Sequence, residues 1–114
     1  MDEIRDKLRA FAEERDWDQF HTPKNLVMAL SGEVGELTEI FQWLSTEESK
    51  KEKLTPEQCL SIEEEIADVY LYLIRLADKL DIDVEKAALQ KLKINAEKYP
   101  VALSKSNAVK YNKR

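Results

Sequence analysis

Four carboxylates in this 114-residue chain are spaced as if to act together, Glu33 with Glu36 and Glu65 with Asp68. A separation of three puts both members of a pair on one face of a helix, with Cβ atoms about 5 to 6 Å apart. Glu33 falls on the apolar stripe Leu26, Leu30, Leu37, Ile40, and Glu65 on the stripe Ile62, Val69, Tyr72, Leu76. An unpaired carboxylate in such a place costs several kcal/mol or takes up a proton, and four together repel. A hard divalent cation resolves that conflict. Oxygen donors alone favour magnesium, manganese or calcium over zinc. The one histidine, His21, lies outside both pairs, so the two Glu-x-x-His motifs of a di-iron carboxylate bundle cannot be made. Both glycines, Gly32 and Gly35, sit beside the first pair, although each costs a helix about 1 kcal/mol relative to alanine. Their presence predicts a close approach to that backbone, by another helix or by metal and phosphate. The plainer reading of each pair is a solvated helix face, and in a noncatalytic oligomerisation module the acids would instead form salt bridges with Arg75, Lys79 or Lys91.

The acids need helices to hold them. Ile4, Leu8, Phe11 and Ala12 recur at helical spacing and predict a first amphipathic helix from about Asp2 to Arg15. Thr22-Pro23 combines an N-cap with proline at the first helical position, opening a second helix that runs to about Trp43. Residues 44–54 are polar, without a period, and read as a surface loop. Thr55-Pro56-Glu57-Gln58 carries the elements of a capping box and starts a third helix reaching about Lys79. Asp81 or Asp83 caps a fourth, which ends at Tyr99-Pro100. The expectation is an all-α chain, a four-helix-bundle protomer in a single domain over residues 1–114. The third helix is apolar on nearly every side from Ile66 to Ile74, so a second subunit is expected to cover it, as a homodimer or homotetramer.

Composition narrows the function. The net charge of −5 argues against binding a nucleic-acid polymer, which demands a basic surface. All 23 acidic residues lie at or before Glu97, leaving a basic tail of about residues 101–114 that follows Lys98. No apolar run approaches a membrane span, no signal pattern opens the chain, and the lone Cys59 allows no internal disulfide, so a cytoplasmic protein is expected.

The run Gly32-Glu33-Val34-Gly35-Glu36-Leu37, with Glu65-Ile66-Ala67-Asp68 beyond it, resembles the Glu-x-x-Glu and Glu-x-x-Asp signature of the MazG-like all-α nucleoside triphosphate pyrophosphohydrolases, and most closely the dCTP pyrophosphatase branch. The likeness extends through Glu14-Arg15-Asp16-Trp17, Gln19-Phe20-His21, Pro23, Asn25, Phe41-Gln42-Trp43, Asn95 and Tyr99-Pro100-Val101. It implies magnesium-dependent hydrolysis, with manganese as a possible substitute, between the α and β phosphates of a nucleotide, first of all dCTP or a modified dCTP, to the monophosphate and pyrophosphate. Glu33, Glu36, Glu65 and Asp68 would hold the metal, and Glu36 or Glu33 would orient the attacking water. By the same resemblance Trp17 and Trp43 would line the base pocket, Tyr72 and Asn95 would contact the sugar, and Lys91 and Lys98 the triphosphate. Leu8 departs from the mammalian pattern, where histidine stands beside the base. The alternatives are a noncatalytic helical oligomerisation module, and the same fold acting on another nucleotide such as dUTP.

Overall fold

The structure is a computed structural model that describes residues 2–101. It contains four α-helices, α1 (Asp2–Glu14), α2 (Pro23–Phe41), α3 (Pro56–Lys79) and α4 (Val84–Lys98), with 3-10 turns at Asp18–Phe20 and Lys51–Lys53 and no strand among the described residues. No described helix is long and apolar enough to cross a membrane. The chain divides into two compact units, one ending at Asp81 and one beginning at Ile82.

The helix starts follow their capping chemistry. The Thr22 hydroxyl accepts from the Asn25 amide and Pro23 opens α2. At α3 the box is complete: Gln58 N–H donates to Thr55 Oγ1 at 3.1 Å and Thr55 N–H to Gln58 Oε1 at 2.9 Å. Each such cap is worth about 1 kcal/mol by satisfying amides that the first turn leaves unpaired. Asp83, the later of the two expected caps, accepts from the Lys86 amide and starts α4. α2 stops at Phe41, two residues before Trp43. The loop after it has its own reciprocal pair, Ser45 N–H to Glu48 Oε1 and Glu48 N–H to Ser45 Oγ. Asp16, with φ of 53°, turns the chain out of α1 in the left-handed region.

In the first unit α3 packs against both α2 and α1. Glu33 faces Glu65 while His21, before α2, meets Arg75 near the end of α3, so α2 and α3 run antiparallel. Leu26 of α2, at 1% exposure, is the largest fully buried side chain among the described residues, joined in the core by Ala12, Ile74 and Ala77. Arg75 is buried with them at 5% exposure. Ile66, Tyr70 and Leu73 on α3 and Val27, Met28 and Val34 on α2 remain exposed. The second unit contributes α4, whose leucines Leu89 and Leu92 are exposed. The basic tail lies outside the described residues, apart from Val101.

Candidate active site

The antiparallel pairing of α2 and α3 gathers the acids. Glu33, Glu36 and Glu65 each offer a carboxylate oxygen, and these atoms lie within 4.8 Å of one another. Oε2 of Glu33 and Oε2 of Glu65 are buried without a hydrogen-bond partner. A buried anionic oxygen with no donor is costly, and two side by side cost more. Burial, the neighbouring Glu65 and Glu36 carboxyls and the charge of Asp68 push Glu33 up to about 7. Burial also raises Glu65, with the charges of Glu36 and Asp68 acting in the same direction. Asp68 stands one turn beyond Glu65, outside the group of three, and its charge is felt by both.

The cations nearest in the sequence pattern are engaged elsewhere. Arg75 donates through Nη2 to Asp18 at 2.7 Å, through Nη1 to Asp78 at 3.5 Å and through Nε to His21 Nδ1 at 3.2 Å. Lys79 also pairs with Asp18, and Arg9 with Asp78. The rival reading in which Arg75 or Lys79 neutralises the site acids therefore loses these two cations, since their partners are other carboxylates. An all-oxygen group with two orphaned buried atoms fits a hard divalent metal ion.

Asp68 faces a cavity of about 280 Å³ lined by Leu8, Phe11, Trp17, His21, Asp68, Leu71, Tyr72 and Arg75. Positions 68, 71, 72 and 75 are one face of α3, continued across to Leu8 and Phe11 of α1. The walls are aromatic. Phe11 and Trp17 meet edge to face with centroids 5.7 Å apart, the Arg15 guanidinium lies 3.6 Å from the Phe11 ring centre, and Trp17 and His21 are 6.4 Å apart at 63°. The size and lining suit a planar, heteroaromatic group.

Trp17 and Tyr72 thus share the cavity with Asp68, and Leu8 lies with them. Trp43 is not among its lining residues and is 87% exposed. Lys91, Asn95 and Lys98 belong to α4 in the second unit, where Lys91 and Lys98 are exposed and Asn95 is half-buried. A Cβ at Gly32 or Gly35 would meet nothing within 4 Å, so the close approach their presence suggested is not made by another helix among the described residues. Helical spacing and motif did not mark His21 or Arg75 as site residues. Extending the Asp68, Tyr72 stripe one more turn reaches Arg75, and that signal was available in the sequence.

The chain is 44% identical to dCTP pyrophosphatase 1 of Rattus norvegicus over 111 residues, 97% of the chain and 65% of the rat protein, and 43% identical to dCTP pyrophosphatase 1 of Homo sapiens with the same coverage. It therefore spans just under two thirds of the length of these relatives. Among solved structures, a pyrophosphatase from Archaeoglobus fulgidus superposes with a TM-score of 0.81 at 44% identity, covering 88% of this chain and 92% of that one. The MazG-like family model matches residues 28–113, from within α2 past the end of α4, and the chain belongs to the MazG-like family.

Proposed function

We propose that this protein hydrolyses deoxynucleoside triphosphates, dCTP or a modified dCTP first among them, to the monophosphate and pyrophosphate in a magnesium-dependent reaction. The observation that carries the reading is the trio Glu33, Glu36 and Glu65, with two buried, unpartnered oxygens, beside an aromatic cavity that Asp68 lines. The relatives named for dCTP hydrolysis supply the substrate class.

Glu33, Glu36, Glu65 and Asp68 would hold magnesium, with manganese as a substitute. The bound ion would supply neutralising charge to the phosphate oxygens and make a water molecule easier to ionise. The protein's own groups do the rest. Glu33 or Glu36 orients the attacking water and takes its proton. Trp17 offers a face for stacking on the base, worth roughly 1 to 3 kcal/mol. Tyr72, which lines the cavity one turn beyond Asp68, would contact the sugar. By resemblance alone, Trp43 keeps its assignment to the base, and Lys91, Asn95 and Lys98 theirs to the substrate. The whole chain is read as one catalytic domain working in the cytoplasm as a homodimer or homotetramer. The exposed apolar side chains of α2 and α3 support the oligomer, which light scattering at micromolar concentration would contradict by giving a uniform monomer.

Side-by-side kinetics on dCTP, dUTP, dATP and dTTP with magnesium test the substrate. The proposal expects the highest kcat/KM for dCTP. A higher value for dUTP keeps the site and changes the substrate, whereas turnover of none of the four leaves the oligomerisation module as the better account.

A further inference from the structure

His21 is the chain's one histidine and lines the cavity, yet the reaction proposed above gives it no part. Its environment fixes its chemistry. Arg75 Nε lies 3.2 Å from His21 Nδ1, and a guanidinium can only donate, so Nδ1 must present a lone pair. The proton of a neutral imidazole then resides on Nε2. Arg75 cannot easily turn away, because it is buried and its two terminal nitrogens are engaged by Asp18 and Asp78. Burial and the charges of Arg75 and Lys79 hold His21 below the usual histidine range, opposed only by Asp18. Among the described residues Nε2 has no hydrogen-bond partner. The ring therefore brings one spare N–H donor to a cavity whose other walls are largely apolar or aromatic.

We propose that His21 Nε2–H is a specificity-determining donor that reads the acceptor edge of the substrate's nucleobase, N3 and O2 of cytosine, and that Arg75 is the positioning residue that fixes its tautomer. This rests on the nucleotide reading given above. Cytosine presents two adjacent acceptors on that edge, whereas thymine and uracil carry an N3–H there, which a fixed donor opposes. A site built to hydrogen-bond one edge rejects the mismatched one because buried polar groups are left unpaired.

Because the chain has a single histidine, a long-range proton–nitrogen correlation spectrum of the 15N-labelled protein reports its state without ambiguity. The expected signature between pH 6 and 8 is an unprotonated Nδ1 and a protonated Nε2, with Nε2 shifting on addition of dCMP but not of deoxyribose 5-phosphate. Arg75→Met should release the lock and let the Nδ1–H form appear. In kinetics, His21→Phe should lower kcat/KM for dCTP about 10- to 100-fold and narrow the preference for dCTP over dTTP, while His21→Gln, which retains an N–H donor, recovers part of the loss. An Nδ1–H tautomer or an imidazolium in the native protein, or no movement of Nε2 with dCMP, overturns the inference, as does an unchanged preference in His21→Phe. A dCMP-dependent shift in a protein that hydrolyses no nucleotide would instead sink the proposed reaction and leave the reading of His21 in place.

Discussion

Loading the acidic trio with a cation should release a proton, because Glu33 is pushed up to about 7 by burial and by its carboxylate neighbours. A divalent ion binds the ionised form, so the proton must leave first. For one such group the ionised share is about one eleventh at pH 6 and about ten elevenths at pH 8, which makes the apparent affinity for magnesium about tenfold higher at pH 8. The same shift has a sign for the fold. The native carboxyl holds its proton more tightly than the unfolded chain does, so the metal-free protein loses stability as pH rises from the ordinary glutamate range towards 7, and magnesium restores it. Calorimetric titration with magnesium chloride at pH 6, 7 and 8, in two buffers of different ionisation enthalpy, gives both affinity and proton count. The expected release is about 0.9 proton at pH 6 and about 0.1 at pH 8. Glu33→Gln should bind the ion more weakly and reduce the pH dependence, leaving the share due to the raised Glu65. Equal affinity at pH 6 and 8 with no proton released would refute the reasoning.

Glu36→Ala and Asp68→Ala should each abolish turnover while keeping the helical circular dichroism signal. In the metal-free state neither should melt below the parent, because each removes a charge that acts on Glu33 and Glu65. Arg75→Met should lower the unfolding free energy by about 3 kcal/mol in urea titration, since it takes one cation from Asp78, which is only 10% exposed. Arg9 remains to hold Asp78, which places the cost at the lower end for a broken buried pair. Gly32→Ala should stabilise the isolated chain by about 1 kcal/mol, because the new Cβ meets nothing within 4 Å and alanine is the better helix former. Loss of activity in that variant despite a higher melting temperature would mean that substrate or a second subunit approaches α2 there.

The helix starts were legible because capping is local chemistry: Thr22-Pro23 and the Thr55 to Gln58 box act within a few residues of the sequence they occupy. Helical spacing likewise brought Glu33 and Glu36 to one face, and Glu65 and Asp68 to another. It could not say how α2 and α3 align, and that alignment places Glu65 within the trio and Asp68 beside it, facing the cavity. Trp17 and Tyr72 lie in that cavity, but periodicity gave no sign that Leu8 and Phe11 of α1 would close it. Arg75 was the larger omission. Its charge suggested a surface partner for the acids, whereas Asp18, Asp78 and His21 draw it into the interior, and those contacts span up to 57 positions in sequence. The glycines are a different case. Their helical cost implied a neighbour, and the neighbour is not within the described chain.

Which phosphate bond breaks is the most direct test of the proposed chemistry. Purified protein incubated with dCTP and magnesium, with products separated by anion-exchange chromatography, should yield dCMP and pyrophosphate in equal amounts, with no reaction when the ion is chelated. Formation of dCDP and orthophosphate, or undiminished turnover in the chelator, would contradict it.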